Sequence, residues 1–576
     1  MDGPSRISRI LIDESRLPLP IMIDSASREG DGYTAFSDEW KGRKLDIVPA
    51  QGSPFEEWAA QLLESSRVYH MEGGISYNEK SLSCDGEILD VEVLPLPRLF
   101  FSFPVKFARY LSTYLDLNPA NPPLYAPGCA DSRNLELLHY LGFEVFDTVR
   151  ARIDASENRY YTASGMIEAG SFEGSLSSGD ICGCDHCGSS DQTLEELAGH
   201  NVGVMRHRLR ESLFHLERGD LRTHLMGKLS GDPEMASLLR SFEGSGCSTE
   251  TDNCWTWRKN GKSLVAYRDD LMAPDYRLWL ERIQGDFSPL PHKDTLLIVP
   301  CSAKKPYSRS RTHTRIRSYL SGIKGWQDRV QMLVLTSPLG GVPMELEDLY
   351  PAAHYDIPVT GTWFPEEIER SRKVTRSVMN SGRFRYVIDF HPEGKEFFPE
   401  PGEFFREAEY RGVHGDGDRL REVVSDLMGI PWDGCQGSSR TIEVLNLIRF
   451  SMGSSPCYDP KMRIMKRRGR TYLSRGKELL FELGVGGPKP TLEGGRLIWN
   501  DDEGSAKKVF IDDFVPRGTV FTQGIVGTQG VIRPGDIVVV GHGNDYRGVG
   551  RSNMSSSLLK SGISGPGVKM ISYESG

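Results

Sequence analysis

A chain of 576 residues is too long for a single hydrophobic core, and about three to five domains are expected. Hydrophobic residues make up 38% and charged residues 26%, ordinary for a globular protein, and no apolar run approaches the roughly 20 residues of a spanning helix. The N-terminus lacks a signal-peptide core, so the chain reads as cytoplasmic, and its net charge of −10 weighs mildly against nucleic acid, although a global sum hides local patches.

In chain order, residues 1–287 mix short apolar runs (19–23, 45–49) with amphipathic stretches such as 105–115. A helix is predicted over 135–141, stopped by Gly142, with a strand at 143–146. A Gly/Ser-rich loop leads to Cys182, Cys184 and Cys187. A charged helical pattern then covers 194–226, and 244–260 reads as a surface excursion. From Asp294 the texture alternates. Apolar runs at 295–299, 330–336 and 386–390 predict buried parallel strands, with crossover helices at 312–323 and 365–379. This predicts an α/β core domain over 288–430, with functional groups just past the strands' C-terminal ends, where Cys301, Ser337, Asp389 and His391 stand. Residues 431–504 predict a small connecting α/β domain with a helix at 441–452, and 505–576 a small β-barrel. Between Lys461 and Lys477 lie Arg463, Lys466, Arg467, Arg468, Arg470 and Arg475 with no acidic residue, either a solvated face or an RNA contact.

Ten cysteines, three clustered and the rest scattered, suggest a metal site and a candidate nucleophile rather than disulfides. Cys182, Cys184 and Cys187 offer three thiolates to zinc, which needs a fourth ligand; His200 is the first choice, with His207 and His186 as alternatives. Four protein ligands leave no open position, so such a zinc is structural. Cys301 follows a buried strand. A lone cysteine is by default a buried structural thiol, but Lys304 and Lys305 could favour its thiolate. Ser310 and His313 open the next helix with hydrogen-bonding and proton-transfer groups. Ser337, Gly340, Gly341, Glu345, Asp348, Tyr350, His354 and Asp356 form a polar, Gly-rich stretch that reads either as pocket lining, with carboxylates for ammonium groups, or as a capped surface loop. Asp389 and His391 are pocket residues or turn formers. In the C-terminal segment Lys507, Lys508, Arg533, Arg547 and Arg551 contribute to a local basic excess suited to phosphates.

Three resemblances add to this reading. The cysteine cluster, together with Tyr125-Ala-Pro-Gly128 and Leu141-Gly-Phe-Glu-Val-Phe-Asp147, resembles the tRNA-guanine transglycosylases over roughly residues 120–226. That likeness implies a partial TIM-barrel-like domain over 1–287, with Asp147 at the position of the family's nucleophile. The family's Asp-Ser-Gly-Gly/Ala-Phe-Gln motif has only an eroded match, Asp24-Ser25-Ala26-Ser27, so a binding or scaffolding role is expected in place of base exchange. Pro300-Cys301-x-x-x-Lys305-Pro306-Tyr307-x-x-Ser310-x-x-His313 resembles the signature of archaeosine synthases. Arg533-Pro-Gly-Asp536 and Arg547-Gly-Val-Gly-Arg551-Ser552 resemble the PUA domain of RNA-modifying enzymes.

The archaeosine synthase likeness implies a substrate, tRNA carrying 7-cyano-7-deazaguanine at position 15, and a reaction, addition of an amine from lysine or glutamine to the nitrile. It implies catalytic roles for Cys301, Lys305, Tyr307, Ser310 and His313, with His313 or Lys305 as proton carrier. A radical S-adenosylmethionine enzyme is the implied partner, and a homodimer is left open. The alternatives are an active transglycosylase and a non-catalytic tRNA-binding subunit.

Overall fold

The computed structural model describes residues 103–117, 124–126, 128–162, 165–168, 182–187, 193–244, 271–357, 362–435, 437–501, 504–560 and 565–574, with the backbone of short strands between Arg9 and Val93 and of Ser263–Leu264. The Asp24–Ser27 side chains and nearly all of the 244–260 excursion lie outside the described residues. The chain forms two compact units, Met1–Thr251 and Asp252–Gly576. The division falls ahead of the expected boundary at 287 because the helix Pro274–Gly285 packs on the following domain, where Trp279 Nε1 donates to the Gly341 carbonyl at 3.0 Å.

The first unit carries an eight-stranded row. Glu92–Val93, Leu124–Tyr125, Phe143–Asp147 and Ile21–Glu29 pair in parallel, and the remaining four strands join antiparallel. The pairing is an open row, and no closed barrel forms among the described strands. The predicted helix over 135–141 is Leu135–Tyr140, and the predicted strand at 143–146 is Phe143–Asp147. The helical pattern of 194–226 is two helices. Leu194–Arg218 starts with a capping box between Thr193 and Glu196 and ends at Gly219 in the left-handed region, after which Leu221–Leu229 begins.

In the second unit the core sheet has the order Gly340–Pro343, Val330–Thr336, Thr295–Pro300, Tyr386–Asp389, Glu409–Gly412. All neighbours are parallel except the first pair. The chain leaves the central strand Thr295–Pro300 to one side for Val330–Thr336 and later crosses back to Tyr386–Asp389 on the other. The order therefore reverses beside Thr295–Pro300, the topology that in open α/β sheets places a crevice at the strands' C-terminal ends, here those of Thr295–Pro300 and Tyr386–Asp389. Right-handed crossovers in opposite directions put the connecting helices on opposite faces. Arg311–Tyr319 packs with Gly417–Met428, and Pro365–Ser381 packs with Gly340–Pro343 and Pro274–Gly285. At the opposite end of the sheet the fully buried Arg329 makes a two-pronged bond to Asp294, 2.7 and 2.8 Å, and caps the carbonyls of Leu427 and Ile430. A paired, fully hydrogen-bonded guanidinium is tolerated there, whereas removing its carboxylate would cost about 3–5 kcal/mol.

The connecting segment is α+β: the helix Ser439–Met452, an antiparallel sheet from Met462 to Pro490, and the helix Leu492–Trp499. Its core residues Ile448, Leu473, Phe481 and Ile498 pack in one cluster with Ile537, Val539 and Val549 of the C-terminal sheet. The expected boundary at 504 thus runs through a shared core. The C-terminal region is a mixed six-stranded sheet with a second core around Val509, Val538, Val540 and Val568.

Candidate functional site

Cys301 stands immediately past Pro300, at the lip of the central strand and beside the crevice. Register places its neighbours. Pro300 pairs with Leu335, so Thr336 and Ser337 end the adjacent strand at the same height, while Ile298 pairs with Asp389, so residues 390–393 rise on the other side. A hydroxyl chain lies behind the thiol. The Thr336 hydroxyl bonds the Tyr355 hydroxyl, which bonds that of Tyr307 at 2.6 Å. Lys305 lays its ammonium 3.8 Å from the centre of the Tyr355 ring, a cation–π contact that fixes a long side chain. Burial pushes the Cys301 thiol up, while the Thr336 hydrogen bond and the Lys305 charge act in the opposite sense. Burial also pushes the Tyr307 and Tyr355 phenols up, which keeps both as neutral donors.

Ser310 caps the next helix by accepting from the His313 backbone N–H at 3.1 Å. His313 is fully buried; its Nε2 donates to the Pro300 carbonyl at 2.9 Å, and burial lowers its pKa to about 4. The imidazole is thus neutral and ties the motif's helix to the strand end. On the far side of the crevice, burial likewise lowers His391 to about 4. Its Nδ1 accepts from the Glu393 N–H at 3.2 Å, and its ring packs edge-on against Trp363 and Phe397. Trp363, partly exposed, donates from its indole nitrogen to Glu393 at 2.9 Å. Asp389 accepts from Tyr410 and from the His391 N–H, so it shapes the strand end.

The polar stretch after Ser337 divides. The Ser337 hydroxyl is bonded to Glu367, and a side chain at Gly340 or Gly341 would collide with Arg370 or Val374, so these three residues seat the sheet edge on a helix. Glu345 accepts from Gln331, at the N-terminal end of its strand and therefore on the side of the sheet away from Cys301. The pocket-lining expectation for these four is corrected. Both uses follow from a short antiparallel hairpin, Val330–Pro343, folding back along its own strand. Glu347 accepts from the Ser308 N–H within the motif, Asp348 lies 4.0 Å from Arg309, and the His354 ring lies 5.9 Å from that of Tyr350 at a tilt of 40°. Asp356 is half-buried, one residue past Tyr355. Thr336, Trp363 and Glu393 were absent from the residues singled out by sequence, although the strand-end rule that selected Ser337 applies equally to Thr336.

In the first unit Cys182, Cys184, Cys187 and His200 offer ligand atoms that all lie within 4.8 Å of one another. His200 Nδ1 faces Cys187 Sγ at 3.2 Å and Cys184 Sγ at 3.4 Å, while Nε2 donates to the Tyr161 carbonyl at 2.8 Å. That outer bond fixes the tautomer with a bare Nδ1 toward the thiols, the arrangement a metal-binding imidazole needs. His200 is chosen over His186 and His207 because the capped helix carries it into the cluster core with Tyr160, Leu197 and Ala198. Glu211, His215 and His224 form a second group, but Lys228 already bridges Glu211 and Glu136 at 2.8 and 2.9 Å.

Asp147 ends its strand 2% exposed. Oδ2 accepts from the Gly128 N–H at 2.7 Å and the Tyr125 hydroxyl at 3.0 Å, and Oδ1 accepts from the Val149 N–H at 2.9 Å. In the C-terminal sheet Lys507 is buried on Asp536 at 2.8 Å, and Lys508 is buried against Trp499 with its ammonium on the Asp501 carbonyl. Both lysines are therefore corrected from phosphate ligands: Lys507 forms a buried ion pair and Lys508 a buried bond to a backbone carbonyl. Arg533, Arg547 and Arg551 stay half-buried at the surface.

A thiol at a switch-point crevice, a separate three-cysteine, one-histidine cluster and a β-rich C-terminus define a multidomain α/β protein with a candidate nucleophilic site. The family model described as "Domain of unknown function (DUF5591)" matches residues 276–402, which contain that crevice. The archaeosine synthase subunit alpha of Methanosarcina acetivorans is 30% identical over 80% of this chain and 76% of its own length. The archaeosine synthase of Haloferax volcanii is 28% identical over 79% of this chain and 77% of its own length. A tRNA-guanine(15) transglycosylase of Methanobrevibacter smithii is 20% identical over 54% of this chain and 45% of its own. The chain belongs to the archaeosine synthase family.

Proposed function

We propose that this protein modifies tRNA by adding an amine across the nitrile of 7-cyano-7-deazaguanine at position 15, with lysine, or nitrogen from glutamine, as donor. Family membership supports the coarse part, tRNA modification in archaeosine biosynthesis. The observation that carries the chemistry is Cys301 at the switch-point lip, bonded to the Thr336 hydroxyl that starts the Thr336–Tyr355–Tyr307 chain and under the influence of the Lys305 charge. A nitrile carbon is a weak electrophile, so a thiolate nucleophile and a proton donor to nitrogen are both needed. The Cys301 sulfur bonds to the nitrile carbon, the π pair moves to nitrogen, and that nitrogen takes a proton supplied by Lys305. The donor amine then bonds to the thioimidate carbon and returns a proton to Lys305, the carbon–sulfur bond breaks, and the thiolate is released with an amidine formed. His313 is given the task of holding Pro300, because its Nε2 is engaged there.

In this reading Trp363 and Glu393 face the base across the crevice, and Asp348 and Arg309 receive the donor's charged ends. The Cys182–Cys184–Cys187–His200 cluster suits a structural zinc: three sulfurs and one imidazole close a tetrahedron without a position for water. The C-terminal sheet acts as a PUA module, with Arg533, Arg547 and Arg551 toward phosphates. The N-terminal domain serves as a transglycosylase-derived scaffold. A radical S-adenosylmethionine enzyme takes the lysine adduct onward.

The test is mass spectrometry of tRNA carrying the nitrile base after incubation with lysine or glutamine. A mass increase equal to lysine, or to ammonia where glutamine supplies only its nitrogen, is expected, and it should be absent with Cys301→Ala. No product with either donor rejects the reading. A covalent protein–tRNA adduct without donor is expected for the thioimidate route, and full activity of Cys301→Ala excludes that route.

A further inference from the structure

A dense run of basic residues lies outside both the Cys301 site and the C-terminal sheet. Residues 461–483 carry eight basic side chains against two acidic ones, in a chain whose net charge is −10. They fold as the hairpin of Met462–Arg467 and Arg470–Arg475, closed by Arg468 and Gly469 at φ +49° and +76°, followed by Glu478–Leu483. A two-residue turn with both φ positive fixes the register tightly. Register then sorts the side chains. Ile464 pairs with Leu473, and Met462 and Leu473 lie buried in the core shared with helices Ser439–Met452 and Leu492–Trp499, so that face is closed. The opposite face presents Arg463, then Met465 paired with Tyr472, then Arg467 paired with Arg470. Arg463 and Arg467 are exposed; Met465 and Tyr472 are partly so. Arg470 is held by Glu482 at 3.1 Å, and Arg475 by Glu478 at 3.0 Å.

We infer that this outer face is a docking site for an unpaired RNA segment. The inference rests on the proposed action on tRNA and goes beyond it by naming a second contact surface and the form of RNA it takes. Two exposed guanidiniums four residues apart on one strand are separated by about 13 Å, and between them lies a Met–Tyr platform. A basic groove interrupted by an aromatic ring is how sequence-tolerant single-strand binding is built: charges take the phosphates and the ring takes a base face. A purely ionic surface for duplex stems would need no half-exposed tyrosine at its centre. An acidic protein partner would be satisfied by the charges alone.

The experiment measures binding of the full-length protein to unmodified tRNA and to a short unpaired oligoribonucleotide, each over a salt series. Arg463→Gln/Arg467→Gln should weaken both by about tenfold at low salt and flatten the log Kd against log salt slope by about 1.4, at about 0.7 per phosphate on a single strand. Tyr472→Leu, which keeps apolar packing, should weaken the unpaired oligonucleotide at least about fivefold with the slope unchanged. The double lysine variant should restore most of the electrostatic loss. Unchanged affinity and slope in the glutamine variant overturn the docking site, and a silent Tyr472→Leu overturns the unpaired-segment assignment. If the wild-type protein binds no tRNA, the proposed function fails first. If it makes product while the hairpin variants bind normally, only the hairpin assignment fails. A matching melting temperature for each variant excludes unfolding as the cause.

Discussion

Asp147 and Cys301 occupy equivalent positions, each at the C-terminal end of a parallel strand where catalytic groups gather, yet the fold uses them in opposite ways. Asp147 receives three hydrogen bonds, two from backbone N–H groups of the turns around it, and is 2% exposed. Those donors spend both oxygens, and burial pushes the carboxyl up. Cys301 is partly exposed, and its sulfur is influenced by the Thr336 hydroxyl, the Lys305 charge and its own backbone N–H, with no hydrogen bond from the turns on either side. A carboxylate that holds its own loop together is a structural fixture. A partly exposed thiol beside an ammonium held on the Tyr355 ring keeps the freedom that the proposed reaction requires.

The largest expected effect divides the two directly. Cys301→Ala should lower product formation about 10³-fold or more with tRNA affinity retained, whereas Asp147→Asn should leave turnover per folded molecule within about twofold. A large loss of turnover in Asp147→Asn would break the comparison. The asparagine turns an acceptor into an amide donor facing N–H groups, so its effect should appear as about 2–3 kcal/mol of lost stability in urea unfolding. Cys184→Ser should remove bound zinc, read by metal analysis, and destabilise the first unit while the Cys301 chemistry of tRNA-saturated enzyme persists. Unaltered zinc content would remove the metal assignment.

The pH dependence sharpens the thiol side. Because burial raises Cys301, the single-turnover rate should climb with pH into the alkaline range, where thiolate forms. Lys305→Met should move that rise to still higher pH, and Lys305→Arg should return it partway. A profile identical to wild type in Lys305→Met would leave the ammonium without its role. His313→Gln should slow turnover modestly without moving the profile. The smallest effect is on stability. His313 is held to about 4, below the roughly 6.5 of an unfolded histidine, so the unfolded state takes up the proton first. His313 therefore costs stability as pH falls from about 6.5 toward 4, by up to about 2 kcal/mol at pH 5. Urea midpoints of wild type and His313→Gln at pH 7 and pH 5 check this, with the variant expected to lose less.

Much of this was legible before any coordinates. Apolar runs set the three core strands almost to the residue, because strands buried on both faces tolerate no polar interruption. Thiol spacing announced the three-cysteine cluster, and His200 was selected as its partner from its place at the start of a predicted helix. The same reading overreached wherever a local pattern had two tertiary uses. Gly340 and Gly341 looked like a ligand-approach loop and are a helix seat. Lys507 and Lys508 counted toward a basic excess, yet their ammonium groups face inward onto Asp536 and a carbonyl.

The sequence by itself determined the alternation of elements, the candidate thiol, the sulfur-rich cluster and the family signature, since each depends on residue types at short spacing. Only the tertiary structure decided which polar groups were already satisfied. Hydrogen-bond satisfaction and burial depend on partners tens to hundreds of residues away, as between Tyr125 and Asp147, Thr336 and Tyr355, or Arg282 and the Phe450 carbonyl.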